Sequence, residues 1–129
     1  MKRICIEEVD HHLQRYNTVG DWYELGNRNF VAVSKLGNDD MEFCVAIHEV
    51  VEQYLCNKRG ISDGVVTEFD KANPDHPNPG DLPTAPYHQE HKLASIIELI
   101  LLQELGVDLV EYDKRLDEVS RGNHAVKEG

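Results

Sequence analysis

Basic residues are scarce in this sequence. Lysine and arginine together number 13, against 24 aspartates and glutamates, so the formal net charge at pH 7 is −11. A chain this acidic is repelled by the phosphate backbone of nucleic acids and by anionic membrane surfaces. We therefore expect no nucleic-acid partner and no membrane partner, which leaves an unidentified substrate or a host protein as the partner.

Long apolar runs are also missing. No stretch of the sequence approaches the roughly 18 consecutive apolar residues that a transmembrane helix needs. The first residues reach Glu7 and Glu8 without the apolar segment of a secretory signal. Cysteine is scarce as well, with an odd count of three and no Cys-x-x-Cys pair, which favours free thiols over a disulfide framework. These absences predict a cytoplasmic protein.

The patterns that are present predict an α+β fold. A chain of 129 residues, 40% of them hydrophobic, is long enough for a single domain with one core over residues 1–129. Alternating and β-branched runs predict strands at residues 3–9 and 30–35, with a short extra strand at residues 22–24. Helical spacing of apolar residues predicts helices over residues 39–59, 86–105 and 108–120. The predicted architecture is a small N-terminal sheet of two or three strands packed on three helices.

The connection between the first two predicted helices, residues 61–86, carries all five prolines of the chain. We predict that it is irregular, with residues 65–69 as its point of attachment to the core. So long a connection is usually functional or disordered. Its Asp75-His76 pair could reach a site, although a solvated loop is the simpler interpretation. His11-His12 is predicted to extend a strand with its two rings at the surface.

The strongest functional signal is a histidine and a carboxylate on one helical face. His48 and Glu52 are four residues apart, so their side chains lie about 40° apart around the first predicted helix. The rest of that helix is largely apolar, and a buried charge must be neutralised or paired. A divalent cation, with zinc the simplest choice, would do this, since imidazole and carboxylate are ordinary zinc ligands. The alternative is a buried His48–Glu52 hydrogen bond without metal. Cys44, one turn earlier, is either a third ligand or a small buried hydrophobe.

Glu49 gives this pair a catalytic interpretation. The string His48-Glu49-Val50-Val51-Glu52 resembles the His-Glu-x-x-His motif of metallopeptidases, in which two histidines bind zinc and the glutamate between them is the general base. Here a carboxylate stands in place of the second histidine, which makes the motif less specific. The resemblance implies that Glu49 is the catalytic base.

The second predicted helix supplies a further histidine and carboxylate. His91 shares a face with Ala94 and Ser95, whose small side chains leave room beside an imidazole. Glu98 lies on the same face two turns later, roughly 10 Å along the axis. That position suits a carboxylate that orients a ligand or a water, or that binds a second ion. The candidate metal residues are therefore His48, Glu52, His91 and Glu98.

Two resemblances extend these inferences. Residues 14–22, 45–52 and 86–94 look like segments of small proteins encoded by bacteriophages and prophages, a group whose resemblance implies no particular activity. Strands followed by a His-Glu-x-x helix and a later ligand-bearing helix are similar to the zincin metallopeptidase arrangement. Likeness of fold alone is weak support for function.

Three hypotheses follow. The leading one is a zincin-like, metal-dependent hydrolase, peptidase-like, in which His48, Glu52 and His91 bind zinc, and residues 61–86 form one wall of the cleft. The second is a non-catalytic metal-binding or interaction protein of phage origin, for which a closed four-ligand site would be typical. The third is a helical di-metal carboxylate site, whose usual Glu-x-x-His pair is missing here.

Overall fold

Three strands come first along the chain and four helices follow. The computed structural model describes the backbone of residues 1–128 and the side chains of residues 1–122. Its strands and helices are β1 (Arg3–Val9), β2 (Gly20–Leu25), β3 (Arg28–Ser34), α1 (Asp39–Lys58), α2 (Asp63–Ala72), α3 (His88–Glu104) and α4 (Leu109–Glu128). This order confirms the predicted α+β class, with an N-terminal sheet and helices after it.

The sheet has the strand order β1-β3-β2, with β3 in the centre. β3 pairs in parallel with β1 and antiparallel with β2, and Val31 lies opposite both Ile6 and Trp22. Because side chains alternate between the two faces of a strand, Val31 and Val33 share one face, and both are buried. Helix α1 packs on β2 and β3, so the hydrophobic cluster lies between sheet and helix.

Helix α1 is the central helix of the fold. It begins after Asn38, whose side chain accepts a hydrogen bond from the Met41 backbone N–H at 3.0 Å. Acidic residues in its first turn suit the positive end of the helix dipole. Helix α3 packs along it in the opposite direction, because Glu52 contacts His91 whereas His48, one turn earlier, contacts Glu98. The candidate site therefore lies between these two helices.

The prediction that residues 61–86 are irregular is wrong for ten of them, Asp63–Ala72, which form helix α2. Ser62 caps this helix by accepting a hydrogen bond from the Val65 backbone N–H at 3.3 Å. Val66 and Phe69, three residues apart, pack against the hydrophobic cluster. All five prolines follow residue 73, so none of them interrupts the helix. We call the rest of the connection, residues 73–87, the covering segment. It contains one short 3-10 turn, at Pro79–Asp81.

Other boundaries moved for local reasons. Helix α3 begins at His88 rather than at 86, because turns precede it: the backbone N–H of Ala85 bonds the Leu82 carbonyl, and that of His88 bonds the Ala85 carbonyl. Helix α4 continues past the predicted end at 120 to Glu128, and no proline lies there to end it. His11 is not on a strand but in a 3-10 turn, and its buried ring bonds Ser34 Oγ at 2.7 Å. Among the described residues, no helix combines the length and apolar character needed to cross a bilayer.

Candidate metal centre

Three buried side chains from α1 and α3 converge on one point. Nε2 of His48 lies 3.0 Å from Oε2 of Glu52, and Nδ1 of His91 lies 2.9 Å from the same oxygen. The possible ligand atoms of the three residues all lie within 4.8 Å of one another. His48, Glu52 and His91 are only 7%, 4% and 8% exposed. The predicted pair on α1 and the predicted histidine on α3 therefore share one buried cluster.

The cluster has the composition and the approximate size of a zinc site. Zinc binds imidazole nitrogen and carboxylate oxygen at about 2.0–2.2 Å, which places two ligands of a tetrahedral site roughly 3.3 Å apart. The two nitrogen–oxygen distances to Glu52 are shorter than this by a few tenths of an ångström. The full set of ligand atoms spans up to 4.8 Å, so one ion bound by all three residues would require these side chains to shift.

Each histidine has a carboxylate on its other ring nitrogen. Nδ1 of His48 lies 2.7 Å from Oε1 of Glu98, and the Tyr112 hydroxyl donates to the second oxygen of Glu98. Nε2 of His91 lies 3.0 Å from Oδ1 of Asp81. Such outer carboxylates fix the ring orientation and the tautomer of metal-binding histidines. Each ring thus has one nitrogen at an outer carboxylate and its other nitrogen at Oε2 of Glu52.

The remaining oxygen of Glu52 is held from the sheet. Nε1 of Trp22 on β2 donates to Oε1 of Glu52 at 2.9 Å, and Trp22 is itself buried. The indole has a single N–H and cannot accept a hydrogen bond. It therefore fixes the carboxylate with Oε2 turned towards the two histidines.

Glu49 lies at the edge of the cluster. Its Oε2 is 3.6 Å from Nε2 of His48, and the side chain is nearly buried. Gly20 makes room for it, because a Cβ at that position would come within 2.9 Å of Cγ of Glu49. Burial, reinforced by the charge of Glu52, raises the pKa of Glu49 well above 4.5. The carboxyl group is close enough to act on a water bound beside His48.

Without an ion, the cluster can share protons instead. Burial lowers the pKa of His48, but its hydrogen bonds to Glu52 and Glu98 outweigh burial and raise that pKa well above 6.5. Burial raises the pKa of Glu52, but hydrogen bonds from His48 and His91 outweigh it and lower that pKa to about 2. A protonated His48 that is hydrogen-bonded to both Glu52 and Glu98 is the metal-free alternative to the zinc site.

The outer contacts of the site include residues that sequence reasoning missed. Asp81 was one of several aspartates in a proline-rich stretch, and no spacing rule linked it to His91. Tyr112 on α4 and Trp22 on β2 bond Glu98 and Glu52, and no helical spacing links either residue to those carboxylates. A buried tryptophan or tyrosine usually bonds its polar atom, which was the available signal for both.

Other candidates lie away from the three-residue cluster. Cys44 is fully buried in the hydrophobic cluster, and burial raises its pKa to about 11. It therefore packs as a small apolar side chain. His76 bonds within the covering segment, where its Nδ1 accepts from the Asn78 backbone N–H.

Asp70 on α2 ties the covering segment to the rest of the fold. It accepts hydrogen bonds from the hydroxyls of Tyr16 and Tyr87. The Tyr87 ring also meets the His91 ring edge-on, with the centroids 5.9 Å apart. Tyr87 therefore links Asp70 of α2 to His91 at the edge of the site.

Comparison with family models, curated proteins and solved structures gave no match. The likeness to phage-encoded proteins and to zincins therefore stays a prediction. The function must be argued from the geometry of the site itself.

Proposed function

We propose that this protein binds a divalent metal ion, zinc being the best fit, through His48, Glu52 and His91. The observation that carries the proposal is the matched arrangement of the two histidines. Each directs one ring nitrogen at Oε2 of Glu52 and has a carboxylate, Glu98 or Asp81, on the other nitrogen. Metal-binding histidines almost always carry a hydrogen-bond partner of this kind on the second ring nitrogen.

The activity we propose is metal-dependent hydrolysis in the cytoplasm, with a peptide-like substrate. A bound zinc ion would acidify a water molecule and polarise a carbonyl group. Three protein ligands leave a fourth position free, as in catalytic zinc sites. The Glu49 carboxylate is the group that would accept the proton of the attacking water, since it lies 3.6 Å from Nε2 of His48.

A second candidate function is a closed, non-catalytic metal site. It is favoured by burial, since all three candidate ligands are less than 9% exposed. In this alternative Glu49 would be the fourth ligand, and the acidic protein would act by binding a basic partner.

Metal analysis of protein purified without chelator or nickel resin tests the shared part of the proposal. We expect one zinc per chain and micromolar or tighter zinc affinity by calorimetric titration. Glu52→Gln should abolish this binding, because it removes the charge to which both histidines point. Glu68→Gln, on the exposed side of α2, is the matched control and should bind normally. Wild-type protein that binds no divalent metal would overturn both functions.

Glu49→Gln separates the functions. In a hydrolase the variant keeps its zinc and loses cleavage of a quenched fluorescent peptide library, because the base is gone. In a closed site it loses zinc affinity, because a ligand is gone. In a di-metal site of Glu49, Glu52, His91 and Glu98, the content falls from two ions to one. Circular dichroism of each variant checks that the fold is retained.

A further inference from the structure

One exposed carboxylate of the covering segment reaches the candidate metal centre. Asp81 ends the short 3-10 turn and reaches Nε2 of His91 at 3.0 Å. Its side chain is 57% exposed, whereas that of His91 is 10% exposed. Asp81 is therefore a surface residue whose hydrogen bond goes to a buried ring.

The turn itself lies directly on that ring. A Cβ on Gly80 would come within 2.6 Å of Nδ1 of His91, so only glycine permits this approach. The carbonyl oxygen of Gly80 is also 3.0 Å from Nδ1 of His88, in the first turn of α3. These contacts hold the turn against the start of the helix that carries His91.

A neutral imidazole carries one N–H, on either of its two nitrogens. In the metal-free protein Glu52 favours the proton on Nδ1 of His91, where its carboxylate can accept it. That tautomer blocks the nitrogen that faces the cluster. A carboxylate at Nε2 favours the opposite tautomer, with Nδ1 bare.

We propose that Asp81 is a positioning residue for the metal: it holds the proton of His91 on Nε2, so that Nδ1 is free to bind the ion. Gly80 allows the turn to close over the ring and keeps Asp81 in reach. This inference rests on the proposed metal binding and deepens it, because it gives the covering segment a role in the site. The segment then serves the metal centre as well as connecting two helices.

The expected effect is modest because Asp81 is partly solvated. Removing an outer partner of a metal-binding histidine typically weakens metal affinity by about 10–100-fold. Water competes for an exposed hydrogen bond, so we expect Asp81→Ala to lie near tenfold. Asp81→Asn should recover part of the loss, because its amide oxygen can still accept from Nε2–H.

Zinc titration of Asp81→Ala against Asp75→Ala tests the proposal. Asp75 lies in the same covering segment and is exposed, so its removal changes the charge equally without touching His91. Nitrogen-15 NMR of the zinc-free protein above neutral pH should show more of the Nδ1–H tautomer of His91 in Asp81→Ala alone. A purely structural role would lower thermal stability without changing the tautomer.

The outcomes separate this inference from the proposed function. Equal zinc affinity and equal tautomer populations in the two variants would overturn the role of Asp81 while leaving metal binding intact. Wild-type protein without zinc affinity would overturn both. Gly80→Ala gives an independent check, because the added methyl group forces the turn away from His91, and it should weaken zinc binding at least as much as Asp81→Ala.

Discussion

The two histidines of the candidate centre are supported in different ways. Glu98, the outer carboxylate of His48, lies on α3, is 17% exposed and is also held by Tyr112 of α4. Asp81, the outer carboxylate of His91, lies in the covering segment and is 57% exposed. Solvent screens an exposed hydrogen bond more than a buried one. The comparison indicates a rigid helical side and a more loosely held loop side of one site.

The largest effect should come from the helical side. Glu98→Gln keeps an oxygen that can accept from Nδ1–H of His48 but removes the negative charge. We expect zinc affinity to fall by up to about a hundredfold, against less than about tenfold for Asp81→Asn. Calorimetric zinc titration of the two variants measures the ratio. Equal losses would mean that burial does not distinguish the two supports.

The helical side of the site could be predicted from the sequence, whereas the side formed by the covering segment could not. Helical spacing placed His48 and Glu52 on one face, and small residues marked His91 as a partner on α3. Both inferences use the period of a single helix, which is a local property. The contact between Asp81 and His91 depends on how the covering segment folds back onto α3, and no local period encodes that path.

The same limit explains the missed helix. Ser62, Val66 and Phe69 carry a helix start and a short apolar face, yet they stand next to a stretch with five prolines. Composition averaged over residues 61–86 therefore predicted an irregular chain. β1 and β3 were recovered because each has its own alternating or β-branched run, and β2 was recovered only over residues 22–24. The strand order β1-β3-β2 is a long-range property.

A smaller effect is expected on how the unfolding free energy of the metal-free protein changes with pH. The folded state raises the pKa of His48 above 6.5, so the stability that this proton contributes is complete below pH 6.5. It is lost as the pH rises through the raised value. Glu49, whose pKa is raised above 4.5, acts in the same direction. Unfolding free energy should therefore fall as the pH rises above 6.5, and zinc should reduce the fall because it replaces the proton on His48.

Urea unfolding across this pH range, with and without zinc, measures the effect. His48→Gln is the control for the remaining titrating groups, because the difference between the two proteins gives the contribution of His48 together with its effect on Glu49 and Glu52. If the wild-type curve and the variant curve run parallel above pH 6.5, His48 holds no extra proton in the folded state. The metal-free description of the cluster would then be wrong.

The smallest effect should come from the first half of the connection between α1 and α3. Ser62→Ala removes the cap of α2, whose contact with the Val65 backbone N–H is long, at 3.3 Å, and exposed. We expect a loss of about 0.5–1 kcal/mol in the free energy of unfolding. Ser62→Thr, which keeps the hydroxyl, should lose less. Zinc affinity should not change, because α2 supplies no side chain to the His48–Glu52–His91 cluster. If it falls as far as in Asp81→Ala, the contact from Asp70 through Tyr87 to His91 transmits the state of α2 to the site, and the connection acts as one unit.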